Sequence, residues 1–267
     1  MESDKAEIVM SKDIKTSTQQ GEVLIKQQGD ILKMVFSSEP DATQSAINQK
    51  KPQQLLMENL KYLMGILLFM QPPKNILILG VGAGSLIQFF RHHHPDSHIT
   101  AIDYDSELLE IAHQRMLLPK ADDRLSYVIQ DARVYIEKNQ QQFDLIIVDI
   151  FNGSQSPDWT QDKSFTEQLK CCLSTQGAVA YNMLINSEKS FNTFYKLLRK
   201  TFAGHTLCLE TEDYENLLLY ALNFEPESKS MMQNLEKAQQ AQDKYQLPFS
   251  QILSVIYDIN PVDSGII

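Results

Sequence analysis

The chain has 267 residues, 43% hydrophobic and 22% charged, a balance that supports a large buried core and confines disorder to the ends. Its formal net charge of −10, with no Lys- or Arg-rich stripe, would repel a phosphate backbone and argues against a nucleic-acid partner. No apolar run approaches the about 20 residues of a membrane span, and the acidic opening MESDKAE lacks a signal peptide's basic start; a cytoplasmic protein with no membrane partner is expected.

Residues 1–20 are polar and aperiodic and are expected to be disordered or loosely ordered. Val23-Leu24-Ile25 and residues 31–36 are β-prone runs separated by Gln27-Gln28-Gly29-Asp30, which predicts a small β-hairpin within an N-terminal extension, 21–50. Leu56, Leu60, Leu63, Met64, Leu67 and Leu68 recur at helical spacing across residues 53–70, and Pro72-Pro73 closes that helix. This helix and the hairpin offer a homodimer contact, although apolar faces mostly serve a chain's own core.

From Lys74 onward short apolar runs alternate with helical patterns, the pattern of βαβ units and a parallel sheet. Strands are predicted at 76–79, 98–102, 125–129, 144–148 and 177–182, and helices at 85–93, 105–117, 132–139, 164–173 and 188–201. Runs at 205–210 and 216–222 predict an antiparallel edge hairpin. The whole is an α/β, Rossmann-like domain over 51–225, followed by a C-terminal helical extension, 226–267, with an exposed Gln-rich helix at 228–246 and a short apolar segment at 249–257. Cys171 and Cys172 are adjacent and Cys208 stands alone, which suits neither a disulfide framework nor a CxxC site; all three are expected to be reduced packing thiols.

The first parallel strand runs into Gly80-Val81-Gly82-Ala83-Gly84-Ser85, and a helix pattern follows. Glycines allow the positive φ of a sharp turn and a close ligand approach, while the helix N-terminus offers unpaired N–H groups. The G-x-G-x-G spacing differs from the dinucleotide form, favouring a sulfonium nucleoside over NAD; the plain alternative is a tight turn without a ligand. Asp103 ends the next strand roughly 20 residues on, where a carboxylate can accept from both ribose hydroxyls. Asp105 is placed to cap the following helix. Asp131, after the third strand, can accept from an adenine amino group or cap the next helix. Asp149 ends the fourth strand and is the catalytic candidate, with Phe151, Asn152 and Trp159 on the following loop either lining an acceptor pocket or packing that loop. His92-His93-His94 point in different directions on a helix and suit its C-terminal dipole rather than a metal.

These motifs, ILILGVGAGS, AIDYD, QDA and VDIFNG with a loop into Phe165, together with Gln44-Ser45-Ala46-Ile47, resemble the spermidine synthase-like branch of the class I methyltransferase fold, from the hairpin to about residue 222. The resemblance implies that the loop of Gly80, Gly82, Gly84 and Ser85 lies beside the methionine-like part of S-adenosylmethionine or its decarboxylated form. It also implies that Asp103, with Tyr104 beside it, holds ribose, that Asp131 and Ala132 contact adenine, and that Asp149 stands where aminopropyltransferases keep their catalytic aspartate. Two departures stand out: Ala83 and Asn152 occupy positions that are acidic in the family patterns GGGDGG and DSxDP, and the YHE-like segment has no counterpart near Gln54-Leu55-Leu56-Met57-Glu58.

The sequence therefore predicts a transferase moving a methyl or related alkyl group to a small-molecule acceptor, an amine or other nucleophile, since Ala83 removes the expected amine-binding carboxylate. True polyamine aminopropyl transfer is the second reading, and a non-catalytic nucleoside-binding scaffold the third. A nicotinamide-dependent oxidoreductase is disfavoured by the glycine spacing.

Overall fold

Period-two alternation in the N-terminal segment builds more sheet than the sequence predicts. The computed structural model describes residues 14–153, 155–185, 187–211, 214–227, 230–261 and 266–267. Its first four strands, β1 (Ile14–Thr18), β2 (Gly21–Gln28), β3 (Ile31–Phe36) and β4 (Thr43–Asn48), form one antiparallel sheet in chain order. The predicted hairpin is the middle pair. It is extended on both sides by polar strands, IKTST and TQSAIN, whose apolar content is too low to announce them. The expected loose N-terminus is thereby corrected for residues 14–18, while residues 1–13 lie outside the described residues. Val23, Ile25, Leu32, Met34, Phe36 and Ile47 project from this sheet into the main core.

The helix predicted at 53–70 is shorter and tighter: α1 (Glu58–Leu63) passes into a 3₁₀ turn, Met64–Leu68. Met57 supplies no side-chain cap, and a Cβ at Gly65 would meet Tyr220 Oη at 2.5 Å and Ile252 Cγ2 at 2.7 Å, so packing of this segment requires glycine there. Leu60, Leu63, Met64, Leu67 and Leu68 are buried in the chain's own core.

The predicted α/β alternation follows. The elements are β5 (Asn75–Leu79), α2 (Ser85–His93), β6 (His98–Asp103), α3 (Ser106–Arg115), β7 (Leu125–Ile129), α4 (Ala132–Lys138), β8 (Phe143–Val148), α5 (Lys163–Cys171), β9 (Leu173–Met183) and α6 (Glu188–Thr201). The hairpin β10 (Thr206–Thr211) and β11 (Tyr214–Leu222) completes a sheet of order β10-β11-β9-β8-β5-β6-β7. Strands β5 to β9 are parallel, whereas β11 runs antiparallel to both β9 and β10.

Side-chain alternation divides the sheet between two cores. Ile76, Ile78, Ile99, Ala101, Leu145, Ile147, Ala178 and Ala180 face the N-terminal sheet and α1 to α3. Leu77, Leu79, Ile102, Ile146, Val148 and Val179 face α4, α5 and α6. The C-terminal segment forms α7 (Met231–Tyr245), opened by a Ser230–Gln233 capping box, and α8 (Phe249–Ile259). Helix α7 is not wholly exposed as predicted, because Asn234, Ala238 and Tyr245 are buried. At the end of α8, the Asn260 carboxamide accepts from Cys208 N at 2.9 Å and donates to Cys208 O at 2.8 Å, satisfying the edge strand β10 as a neighbouring strand would. Among the described residues no helix is long and apolar enough to cross a membrane.

The chain adds strands outward on one side of β5 through β6 and β7, then returns to place β8 on its other side, so the carboxyl ends of the parallel neighbours β5 and β8 flank the crevice where open parallel sheets receive ligands.

Candidate active site

Two backbone segments meet in that crevice. Gly80 leaves β5 at φ +92, and a Cβ there would collide with the Asp149 carbonyl, so only glycine permits this approach of β5 to β8. Gly82 follows at φ +51. Gly84, at φ +82, is the N-cap residue of α2 and presses on Leu118. Gly84 is not among the residues lining the cavity; it packs the loop closely on Leu118.

Asp103 organises the loop from β6. One carboxylate oxygen accepts from Val81 N at 2.9 Å and the other from Asp105 N at 3.0 Å. Burial raises its pKa, and these backbone donors oppose the rise. Asp105 caps α3 by accepting from Leu108 N at 2.9 Å, as predicted, and also accepts from Gln20 N at 3.2 Å, tying the β1–β2 turn to the central domain. Strand β4 grips the same loop: Ala83 N donates to Ser45 Oγ at 3.3 Å and Ser85 Oγ donates to Ala46 O at 3.1 Å.

The cavity enclosed by the loop, the N-terminal sheet and the strand ends measures about 780 Å³. Gly80, Gly82, Ser85, Asp103, Tyr104, Asp131, Ala132, Asp149, Phe151, Asn152 and Trp159 all line it, so eleven predicted positions spread over 80 residues of chain converge on one space. Asp131 takes the capping role of its two sequence readings and lines the cavity as well. It caps α4 by accepting from Arg133 N at 2.8 Å, pairs with the Arg133 guanidinium at 2.7 Å, and still reaches the cavity wall. The guanidinium holds its carboxyl below the ordinary range and itself lies 5.0 Å from the centre of the Trp159 ring. Trp159 also packs edge-on against Phe165, with centroids 5.0 Å apart, so packing and lining are not exclusive roles for this residue.

Of Asp103, Asp131 and Asp149, only Asp149 has neither a cationic partner nor a backbone donor to its side chain among the described contacts. It accepts from Asn182 Nδ2 at 2.7 Å, while burial pushes its pKa up to about 6. Asn182 accepts in turn from Asn216 Nδ2 at 2.8 Å. Neither Asn182 nor Asn216 belongs to a motif, and sequence reasoning missed both; Asn59, Ser45 and Gln44 also line the cavity from the N-terminal side.

The histidine run departs from its predicted role. Burial lowers His93 and His94 to about 4, so neither carries positive charge to the end of α2 near neutral pH, and His94 Nε2 instead pairs with Tyr245 Oη at 3.0 Å.

Comparison with known proteins matches this geometry to a family. A polyamine aminopropyltransferase of Neisseria meningitidis serogroup B is 27% identical over 241 residues, covering 90% of each chain. A second, from Chromobacterium violaceum, is 26% identical over 244 residues, covering 91% of this chain and 92% of the relative. A probable spermidine synthase from Corynebacterium glutamicum shares the fold with a TM-score of 0.69 at 17% identity, over 92% of this chain and 94% of that one. Human methyltransferase-like protein 13, solved in complex with SAH, reaches a TM-score of 0.62 at 25% identity, over 71% and 92%. The spermine/spermidine synthase domain model matches residues 57–208, a span that begins beside α1 and contains the glycine loop, Asp103, Asp131 and Asp149. By that match across more than half its length, the chain belongs to the spermine/spermidine synthase family.

Proposed function

We propose that this protein transfers the aminopropyl group of decarboxylated S-adenosylmethionine to an amine acceptor. The observation that carries this reading is the charge of the cavity wall. Among the described residues it includes Asp41, Asp103, Asp131 and Asp149 but no Lys, Arg or His. The decarboxylated donor is a sulfonium and an ammonium with no carboxylate, which suits such a wall. S-adenosylmethionine adds a carboxylate that would find no cationic side chain there. This reverses the preference for methyl transfer that Ala83 suggests in the sequence. Ala83 is fully buried and not among the cavity-lining residues, and carboxylates elsewhere on the wall can face the donor amine. The names of the aminopropyltransferase relatives point the same way.

In this reading the Gly80–Gly82 backbone and the N-terminus of α2 receive the donor beside its sulfonium. Asp103 keeps lone pairs free for the ribose hydroxyls after accepting its two backbone amides, and Asp131 with Ala132 meets adenine. Phe151, Asn152 and Trp159 hold the acceptor. Its amine lone pair attacks the methylene carbon bound to sulfur, the C–S bond breaks, and its electrons leave on sulfur as a neutral thioether. The new ammonium then carries the proton that must be lost. Asp149, ionised above about 6, accepts or steers that proton and stabilises the cation as it forms. Alignment of amine and sulfonium supplies much of the remaining rate.

Methyl transfer is the second reading, favoured by the likeness to human methyltransferase-like protein 13. One experiment separates the two: calorimetric titration with both donors and methylthioadenosine, followed by mass spectrometry of amine acceptors after incubation. Tighter binding of the decarboxylated donor and aminopropylated product support the proposal. Preference for the carboxylated donor with methylated product overturns it, and binding without any product indicates a nucleoside-binding scaffold.

A further inference from the structure

The carboxyl edge of the central sheet carries a hydrogen-bonded chain for which the reaction above has no role. Asn216 Nδ2 donates to Asn182 Oδ1 at 2.8 Å, and Asn182 Nδ2 donates to Asp149 Oδ1 at 2.7 Å. Asn216 comes from β11, Asn182 from β9, and Asp149 is the residue that follows β8. Because β11 is antiparallel to β9, its starting end lies where β8 and β9 finish. Leu218 pairs with Asn182, which places Asn216, two residues earlier, on the same face of the sheet. Asn182 is 1% exposed and Asn216 7% exposed, so their polar atoms depend on each other rather than on bulk water.

The direction of the chain is forced. An ionised carboxylate only accepts, so Asn182 must present its amino group to Asp149, which leaves its carbonyl oxygen facing Asn216. A carboxamide has nearly the same shape when flipped. The donor on its far side is what separates the productive orientation from one that aims an oxygen at a carboxylate.

We propose that Asn216 is a positioning residue for the transfer reaction: by donating to Asn182 it locks that carboxamide with its amino group toward Asp149, and so sets the pH at which Asp149 becomes a competent proton acceptor. This rests on the reading of Asp149 as the proton acceptor. The balance at Asp149 is simple, since burial raises its pKa and the Asn182 bond is the opposing contribution. The other titratable groups on the cavity wall are Asp41, Asp103, Tyr104 and Asp131. Asp103 is engaged by backbone amides and Asp131 by Arg133. Neither β5 nor β9, the strands flanking β8, carries an acidic or basic side chain.

The test compares the Asp149 carboxyl titration, read by carbon NMR on the protein without substrate, with the pH profile of kcat/KM. Asn216→Leu removes the donor, and the nearly isosteric Asn216→Asp replaces it with an acceptor that draws the Asn182 amino group away. Both are expected to raise the Asp149 titration by about 0.5–1 unit, making kcat/KM near pH 6 fall roughly twofold to sixfold, with the loss shrinking as pH rises and donor affinity retained. In an Asn182→Leu background the same Asn216→Leu change should add no further shift. An unmoved Asp149 titration in a variant that still binds donor overturns the inference, as does an equal shift without Asn182. Should the wild type show no aminopropyl transfer while the titration moves as stated, the reaction reading fails and the control of Asp149 by Asn216 stands.

Discussion

Asp103 and Asp149 are both aspartates at the ends of parallel strands, yet their surroundings give them opposite duties. Asp103 already accepts Val81 N and Asp105 N, so Asp103→Ala removes a ribose acceptor and also frees the glycine loop from β6. Donor affinity should fall by roughly 10- to 100-fold, about 1.4–2.8 kcal/mol, in calorimetric titration; unchanged affinity would sink the ribose assignment. Asp149 works against the fold. Its folded pKa, about 6, lies above the ordinary 3.8, so as pH rises the unfolded chain releases this proton first, and stability declines across that window. Asp149→Asn should therefore abolish transfer, leave donor binding near normal, and at pH 7 raise stability by about 1–2 kcal/mol, seen as a higher Tm. A lower Tm at pH 7 would count against the raised pKa. At this scale the sequence exposes residues whose roles follow from local context: glycines after a strand, and acids at strand ends. Asn182 and Asn216 stay hidden because their partnership depends on the register of β9 against β11, which no local pattern encodes.

Single elements show the same division between local and non-local causes. Every strand and helix from β5 to α6 lies within two residues of its predicted bounds except β9, which begins at Leu173 rather than at 177 because its first residues, LSTQ, are largely polar and hide the strand. Strands β1 and β4 were hidden: their stability comes from pairing with β2 and β3 and, for β4, from gripping the glycine loop through Ser45 and Ala46. That grip ties β4 to the proposed donor site. Ser45→Ala should leave Ala83 N without this acceptor, costing about 1 kcal/mol of stability and lowering donor affinity several-fold in the same titration, with little change in acceptor KM. Gly80→Ala is the harsher change. It imposes a side chain at φ +92 and drives it into the Asp149 carbonyl, so β5 and β8 must separate at the crevice. A loss of about 2–4 kcal/mol is expected in urea denaturation, together with loss of donor binding. Wild-type stability in that variant would contradict the close approach of the two strands.

The whole molecule adds a long-range field to these contacts. A net charge of −10 surrounds a cavity whose lining has aspartates and no basic side chain among the described residues, an arrangement that attracts cations before any hydrogen bond forms. Composition alone indicates the sign of that field. It does not show that the cavity shares the sign, because the aspartates at 41, 103, 131 and 149 converge only when the N-terminal sheet closes over the strand ends. If the substrates are a dicationic donor and an amine, raising salt shortens the screening length from about 10 Å at 0.1 M to about 3 Å at 1 M and weakens their capture. Stopped-flow association of the decarboxylated donor should slow several-fold over that range, while the affinity of methylthioadenosine, a neutral thioether filling the same nucleoside site, stays nearly flat. Equal salt dependence for the two ligands would trace the effect to the fold rather than to the cavity. A flat response for both would mean that the aspartates are neutralised before substrate arrives, and the charge argument for aminopropyl over methyl transfer would fall with it.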